Sequence, residues 1–121
     1  MSDVCGVLLS VRLNKFVPVQ SADMRFDWDI PKADANRHKH RISFEEACTI
    51  FADRSVLTIH DEEHSDDEDR WVSMAISSAG RVLVVIHTLP EPDQLGDELV
   101  RIISARRANV HEQRVYLEHK R

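Results

Sequence analysis

Apolar and charged positions alternate after Met24: Phe26 and Trp28 fall on one side, Arg25, Asp27 and Asp29 on the other. A two-residue period predicts a short strand with one apolar face. Pro31 suits the first turn of a helix, where its missing N–H leaves no bond unmade. That helix covers Lys32–His40 and is polar nearly all round. Ser43 and Glu46 have the spacing of a capping box. Phe44, Ala47, Cys48 and Phe51 then recur at i, i+3, i+4 and i+7, one apolar stripe on a second helix.

Past that helix the pattern changes to sheet. Ser55–His60 is rich in β-formers, Trp71–Ile76 alternates and Ser77–Gly80 is turn chemistry. Val82–His87 is almost continuously apolar, as expected of a central strand buried on both faces. Leu89–Asp97 carries Pro90, Pro92 and Gly96 and reads as a loop, Leu99–Ala105 as a further strand. Asn109 can cap a last helix, with Glu112 at the third position of its first turn. The order β-α-α-β-β-β-β-α predicts an α+β fold, an antiparallel sheet of about four to five strands with helices packed on one face. Residues 1–23 have a different texture. Val4–Val11 reads either as an added edge strand or as a tail upstream of a working start at Met24. The second is preferred, which places the domain at 24–121.

Composition narrows the function classes. A chain of 121 residues, 42% hydrophobic and 31% charged, is one small globular domain. Gly6, Gly80 and Gly96 are too far apart for a dinucleotide fingerprint or a P-loop. Cys5 and Cys48 are too few for a disulfide scaffold or a four-cysteine zinc site, and read as two reduced thiols. No apolar run approaches the ~18 residues of a membrane span, and Asp3 rather than a basic cluster precedes Val4–Val11. The expected location is the cytoplasm, with no cofactor.

The net charge of −5 hides a polarity. Seven acids crowd into His60–Asp69, leaving 14 of the 21 acids against 16 bases elsewhere. Lys32–Arg41 and Arg101–Arg121 are both basic, a combination that attracts phosphates whatever the total charge.

Several side chains are candidates for chemistry, each beside a plainer reading. His60 and His64, four apart with carboxylates between, have ligand spacing, yet so many acids favour a solvated hairpin tip. His38, Lys39 and His40 form either a solvated helix face or a phosphate contact. His87 ends an apolar strand beside Thr88, a place for acid–base work or for a hydrogen-bonded structural histidine. Trp71 and Tyr116 can stack on a base, although core packing suits Trp71 better. By strict alternation Arg101 and Arg106 point to opposite faces, so a bulge or a strand end must re-aim one before both can join a site. Arg70 shares parity with Val72, Met74 and Ile76.

The residues Phe26-x-Trp28-Asp29-x-x-Lys32-x-x-x-Asn36-x-x-Lys39-His40-x-Ile42-Ser43-Phe44-Glu45-Glu46-Ala47-x-x-x-Phe51-x-Asp53 resemble the opening of the BrnT family. So do Arg70 after acidic residues, Val84-Val85-x-His87-Thr88, Arg101-Ile102-Ile103-Ser104-Ala105-Arg106-x-Ala108, Glu112 and Tyr116. The resemblance spans about residues 25–117 and is collinear. It implies a toxin of a type II toxin–antitoxin system, with a RelE/ParE-like fold of two N-terminal helices, a sheet and one C-terminal helix. It also implies a ribonuclease that arrests translation, silenced by a BrnA-like antitoxin through which the pair would reach its promoter DNA. The acidic loop Leu89–Asp97 and the extended run before Arg70 depart from the family pattern.

Cofactor-free RNA cleavage needs a base for the 2′-OH, charge stabilisation on the phosphorane and an acid for the leaving 5′ oxygen. On this reading Arg70, Arg106 and Arg101 stabilise the phosphate. His87, or else Lys39 or His40, moves the proton, and Glu112 or Tyr116 positions the substrate. The rival class is a non-catalytic binding module, either a gyrase-targeting relative or an inactive toxin that still binds its antitoxin.

Overall fold

The chain winds back on itself so that its last strand becomes the middle of the sheet. A computed structural model describes residues 9–11, 24–62, 69–88, 91–92 and 98–120. Among them the strands are β1 (Leu9–Val11), β2 (Met24–Asp27), β3 (Leu57–His60), β4 (Trp71–Ile76), β5 (Val82–His87), β6 (Glu91–Pro92) and β7 (Glu98–Arg107). Helices α1 (Ile30–His40) and α2 (Phe44–Cys48) lie between β2 and β3, and α3 (Val110–Lys120) closes the order. The sheet runs β1-β2-β7-β5-β4-β3, with β6 also on β7.

The four strands expected to be antiparallel, β3, β4, β5 and β7, pair in that sense. β2 joins β7 in parallel, so the sheet as a whole is mixed. Parallel neighbours need a long crossover, and the whole chain between β2 and β7 supplies it. Of the two readings of Val4–Val11, the described part behaves as an edge strand, Leu9 facing Phe26; Val4–Leu8 lies outside the described residues. Within the expected loop Leu89–Asp97, Glu91 and Pro92 pair with Leu99 and Glu98, and the rest lies outside the described residues.

Local chemistry explains the helix ends. Asp29 caps α1, its carboxylate accepting from Lys32 N at 3.1 Å, with Pro31 in the first turn. Arg41 stops the helix in the left-handed region at φ 62°, its N–H reaching Arg37 O. Ser43 accepts from Glu46 N at 3.0 Å, which is half of the expected capping box. The other half is diverted: the Glu46 carboxylate takes two bonds from Arg81 (2.6 and 2.9 Å) and one from Ser77 (2.6 Å). It ties α2 to the β4–β5 turn.

After α2 the chain tightens into a 3₁₀ turn, Thr49–Ala52. Within that turn Ile50 is fully buried. Phe51, the last member of the predicted stripe, stays half-buried and packs its ring on Phe26. Phe26, Ile42, Phe44, Ile50, Leu83, Val85, Val100 and Tyr116 form the centre of the core. α3 enters it through Tyr116, whose hydroxyl donates to Asp53. Asp53 also accepts from Ser55 N and Ile76 N, so a single carboxylate joins α3, the chain before β3 and the end of β4.

Phe44→Ala should cost ~3–5 kcal/mol, read from urea unfolding with an unchanged m-value. Burial, and then the bond to Asp53, push the Tyr116 phenol up to about 12 from 10.0. A raised acid pKa means stability that is fully present below pH 10 and lost as pH rises through about 12. Tyr116→Phe should lose about 1 kcal/mol at neutral pH and abolish that alkaline dependence in thermal melts.

Candidate active site

The alternation of the strands sorts their side chains onto two faces. The ring of Phe51 meets His87 edge-on at 4.9 Å, which identifies the face covered by α2 and the 3₁₀ turn. Ser73, Val85, His87, Val100, Ile102 and Ala105 belong to this face and are buried. Val72, Met74, Val84 and Ile86 alternate to the other face.

The register of β7 decides where its arginines go. His87 faces Ile102, but the next pair is Ile86 with Ser104, so Ile103 is an extra residue and β7 bulges. Ile102 and Ala105 consequently share the covered face, and Arg101 and Arg106 share the other. The condition that the sequence set for uniting these arginines is met by a bulge. Arg70 continues the alternation of β4 to the same face, and Thr88 N to Arg101 O at 3.1 Å continues the ladder between them. By alternation Arg70, Arg101 and Arg106 fall on one side of the sheet, the Nε of Arg70 buried there, with Val72, Met74, Val84 and Ile86 between them, of which Met74 and Val84 are buried.

Two of these arginines are held by carboxylates. Arg106 makes a fork to Glu112, both bonds 2.8 Å. Glu112 is itself fixed by a complete capping box, its carboxylate accepting from Asn109 N (2.9 Å) while Asn109 accepts from Glu112 N (2.8 Å). The guanidinium fork, against partial burial and with help from Asn109, holds the Glu112 carboxyl down to about 2. Such a group is a poor proton acceptor and a good anchor. Arg101 pairs with Asp27 at 3.4 Å, a looser contact on an exposed side chain.

His87 does not open onto solvent. It is 1% exposed, with Nδ1 2.6 Å from Thr88 O and Nε2 2.6 Å from Ser73 Oγ. A carbonyl can only accept, so Nδ1 carries the proton and Nε2 accepts from Ser73, whose oxygen in turn lies 2.7 Å from Thr58 Oγ1. Burial pushes the imidazole pKa below its ordinary value, although the Thr88 bond opposes this. Of the two readings that its sequence position allows, His87 has the geometry of the hydrogen-bonded core histidine. Its work is local, because Thr88 O is its partner and the Thr88 hydroxyl accepts from Arg101 N at 3.0 Å. Tyr116 is likewise turned inward, 1% exposed and bonded to Asp53.

Lys39 and His40 occupy the last turn of α1, in the helical layer rather than on the sheet. His60 packs on Trp71 at 4.8 Å and lies 3.5 Å from Asp69, while His64 lies outside the described residues. Among the described residues no three metal-ligating side chains gather. The Cys48 thiol is buried, which pushes its pKa up. No helix of the described residues is long and apolar enough to cross a membrane.

Sequence reasoning gave no role to Asn36, which is 8% exposed on an otherwise polar helix. Its amide donates to Ile42 O (3.1 Å) and Ala105 O (2.8 Å) and accepts from Ala105 N (3.1 Å) and Ser104 Oγ (3.3 Å). The one signal was its place in the quoted pattern, four residues after Lys32 and four before His40.

A family model described as ribonuclease toxin, BrnT, of type II toxin–antitoxin systems matches residues 28–112. No curated protein matches the chain. The matched span runs from Trp28 to Glu112 and so includes the arginines, the bulge and the carboxylate that anchors Arg106. By that match, over more than half its length, the chain belongs to the BrnT family of ribonuclease toxins.

Proposed function

We propose that the chain is a RelE/ParE-like endoribonuclease that needs no metal, cuts RNA through its own 2′-OH and thereby arrests translation. The observation that carries this reading is the bulge at Ile103, which turns Arg101 and Arg106 to the same face as Arg70. Three guanidinium groups around an apolar floor suit a single polyanionic strand laid across the sheet. Arg106 and Arg101 lie on the order of 15 Å apart along β7, so they serve different phosphates. Arg106, the better anchored, carries the charge that develops on the phosphorane. Glu112 positions it, and Arg70 and Arg101 hold the flanking backbone.

The 2′-OH as internal nucleophile explains why DNA would not serve. Its proton passes to the end of α1. Lys39 and His40 follow Asn36 by three and four residues and so flank the side of α1 that bonds to β7. Either side chain can accept a proton in this reading. The partner is a BrnA-like antitoxin whose acidic residues cover the arginines, and promoter DNA is reached through that antitoxin. Masking relieves the mutual repulsion of clustered guanidiniums, which favours such a complex at low salt.

In EDTA the purified protein should still cleave RNA, leaving a 2′,3′-cyclic phosphate or 3′-phosphate and a free 5′-OH. Arg106→Ala should lower kcat by roughly 10²–10³, and Arg106→Lys should rescue poorly because a point charge lacks the fork. A Mg²⁺ requirement with 5′-phosphate ends would overturn the mechanism.

The ion pair makes a separate prediction. Glu112 titrates at about 2 in the fold against 4.5 ordinarily, a depressed carboxyl. Its stabilising contribution is fully present above 4.5 and is lost as pH falls through about 2. Melting temperatures taken across that window should fall less steeply for Glu112→Gln than for the unaltered protein.

A further inference from the structure

We infer that Asn36 is the positioning residue of the arginine face: from α1 it selects the bulged register of β7 on which Arg101 and Arg106 depend. The inference rests on the ribonuclease reading for its kinetic consequence, and on geometry for its cause. β2 pairs with β7 only from Glu98 to Arg101. Beyond that point β7 has β5 on one edge and, among the described residues, no strand on the other. Asn36 occupies that other edge.

Its amide makes the pair of bonds a neighbouring strand would make, accepting from Ala105 N at 3.1 Å and donating to Ala105 O at 2.8 Å. Its remaining donor and lone pair go to Ile42 O and Ser104 Oγ, so a primary amide's full capacity is used. Main-chain groups on a strand alternate between its two edges. Only every second residue can therefore present both its N–H and its C=O to Asn36. A slip of one residue would offer Asn36 no such pair, and would also turn Arg106 into the core and Ala105 out of it. The bulge lies between Arg101, which Thr88 holds through two bonds, and Ala105, which Asn36 holds through two. The two clamps fix the extra residue where it is.

Asn36→Asp keeps both acceptor bonds and loses both donors; Asn36→Ser loses nearly all, and Ser104→Ala removes one bond while leaving the amide intact. Each is to be combined with Arg106→Ala, and two quantities measured: kcat on RNA and Kd for a 2′-O-methyl oligonucleotide that cannot be cut. If Asn36 acts through Arg106, the Asn36 variants should lose roughly tenfold or more in kcat with weakened oligonucleotide binding. Both losses should shrink to within about twofold in the Arg106→Ala background. Ser104→Ala should show the same pattern at smaller size. The fall in melting temperature, which reports the merely structural role, should be equal in both backgrounds. Equal kinetic and binding losses with and without Arg106 would overturn the inference. So would Ser104→Ala and Asn36→Asp proteins with unaltered kcat and Kd. Should the unaltered protein not cleave RNA, the ribonuclease reading fails, while the binding cycle still decides the role of Asn36.

Discussion

Every layer of the molecule meets at β7, where one buried amide satisfies the main-chain N–H and C=O of Ala105 that, among the described residues, no strand reaches. An unpaired buried N–H or C=O costs about as much as a lost hydrogen bond, and Ala105 has one of each beyond the end of β2. Asn36 supplies both partners from a helix that has no other buried residue. The otherwise polar α1 is thus docked by hydrogen bonds more than by apolar contact. This also explains how a helix without an apolar stripe belongs to the fold.

Around that strand, charge and burial divide the ionisable groups into two kinds. His87 and Tyr116 are inside, each neutral, each with its hydrogen bonds complete within the chain. Burial moves the two pKa values in opposite directions, down for the imidazole and up for the phenol, because in both cases it disfavours the charged form. The arginines stand on the opposite face and keep their charge. Their carboxylate partners are short-range supports: the Glu112 fork orders Arg106 through two parallel bonds, whereas Asp27 meets Arg101 in a single long contact. A polyanion arriving on this face meets Arg106 pre-aligned by its two-bond fork and Arg101 held by a single long contact.

Much of the fold was legible along the chain. Alternation located β2 and β4, runs of β-forming or apolar residues located β3, β5 and β7, Pro31 marked α1 and a 3.6-residue stripe α2, and Asn109 with Glu112 announced the last helix through the capping box that the structure contains. Those signals are local: a strand shows its apolar face, and a cap shows its hydroxyl or amide, within a few residues. The basic character of β7 and its neighbours was equally visible, because charge needs no fold to be counted. The family resemblance, carried by the opening pattern and the Arg101–Ala108 block, agreed with the family match over residues 28–112.

What the sequence could not decide depended on partners far along the chain. Alternation by itself put Arg101 and Arg106 on opposite faces; the extra residue at Ile103 exists only in the pairing of β7 with β5, residues that meet across an intervening loop. The sequence left His87 between a strand-end acid–base group and a hydrogen-bonded structural histidine, because Ser73, which bonds its second nitrogen, is fourteen positions earlier. Asn36 and Ala105 are 69 residues apart, so no window on the sequence contains both ends of the contact. Composition, caps and periodicity determined which elements form and that one surface is basic. Tertiary packing alone determined which side chains that surface presents, because a one-residue change of register reverses every side chain beyond it.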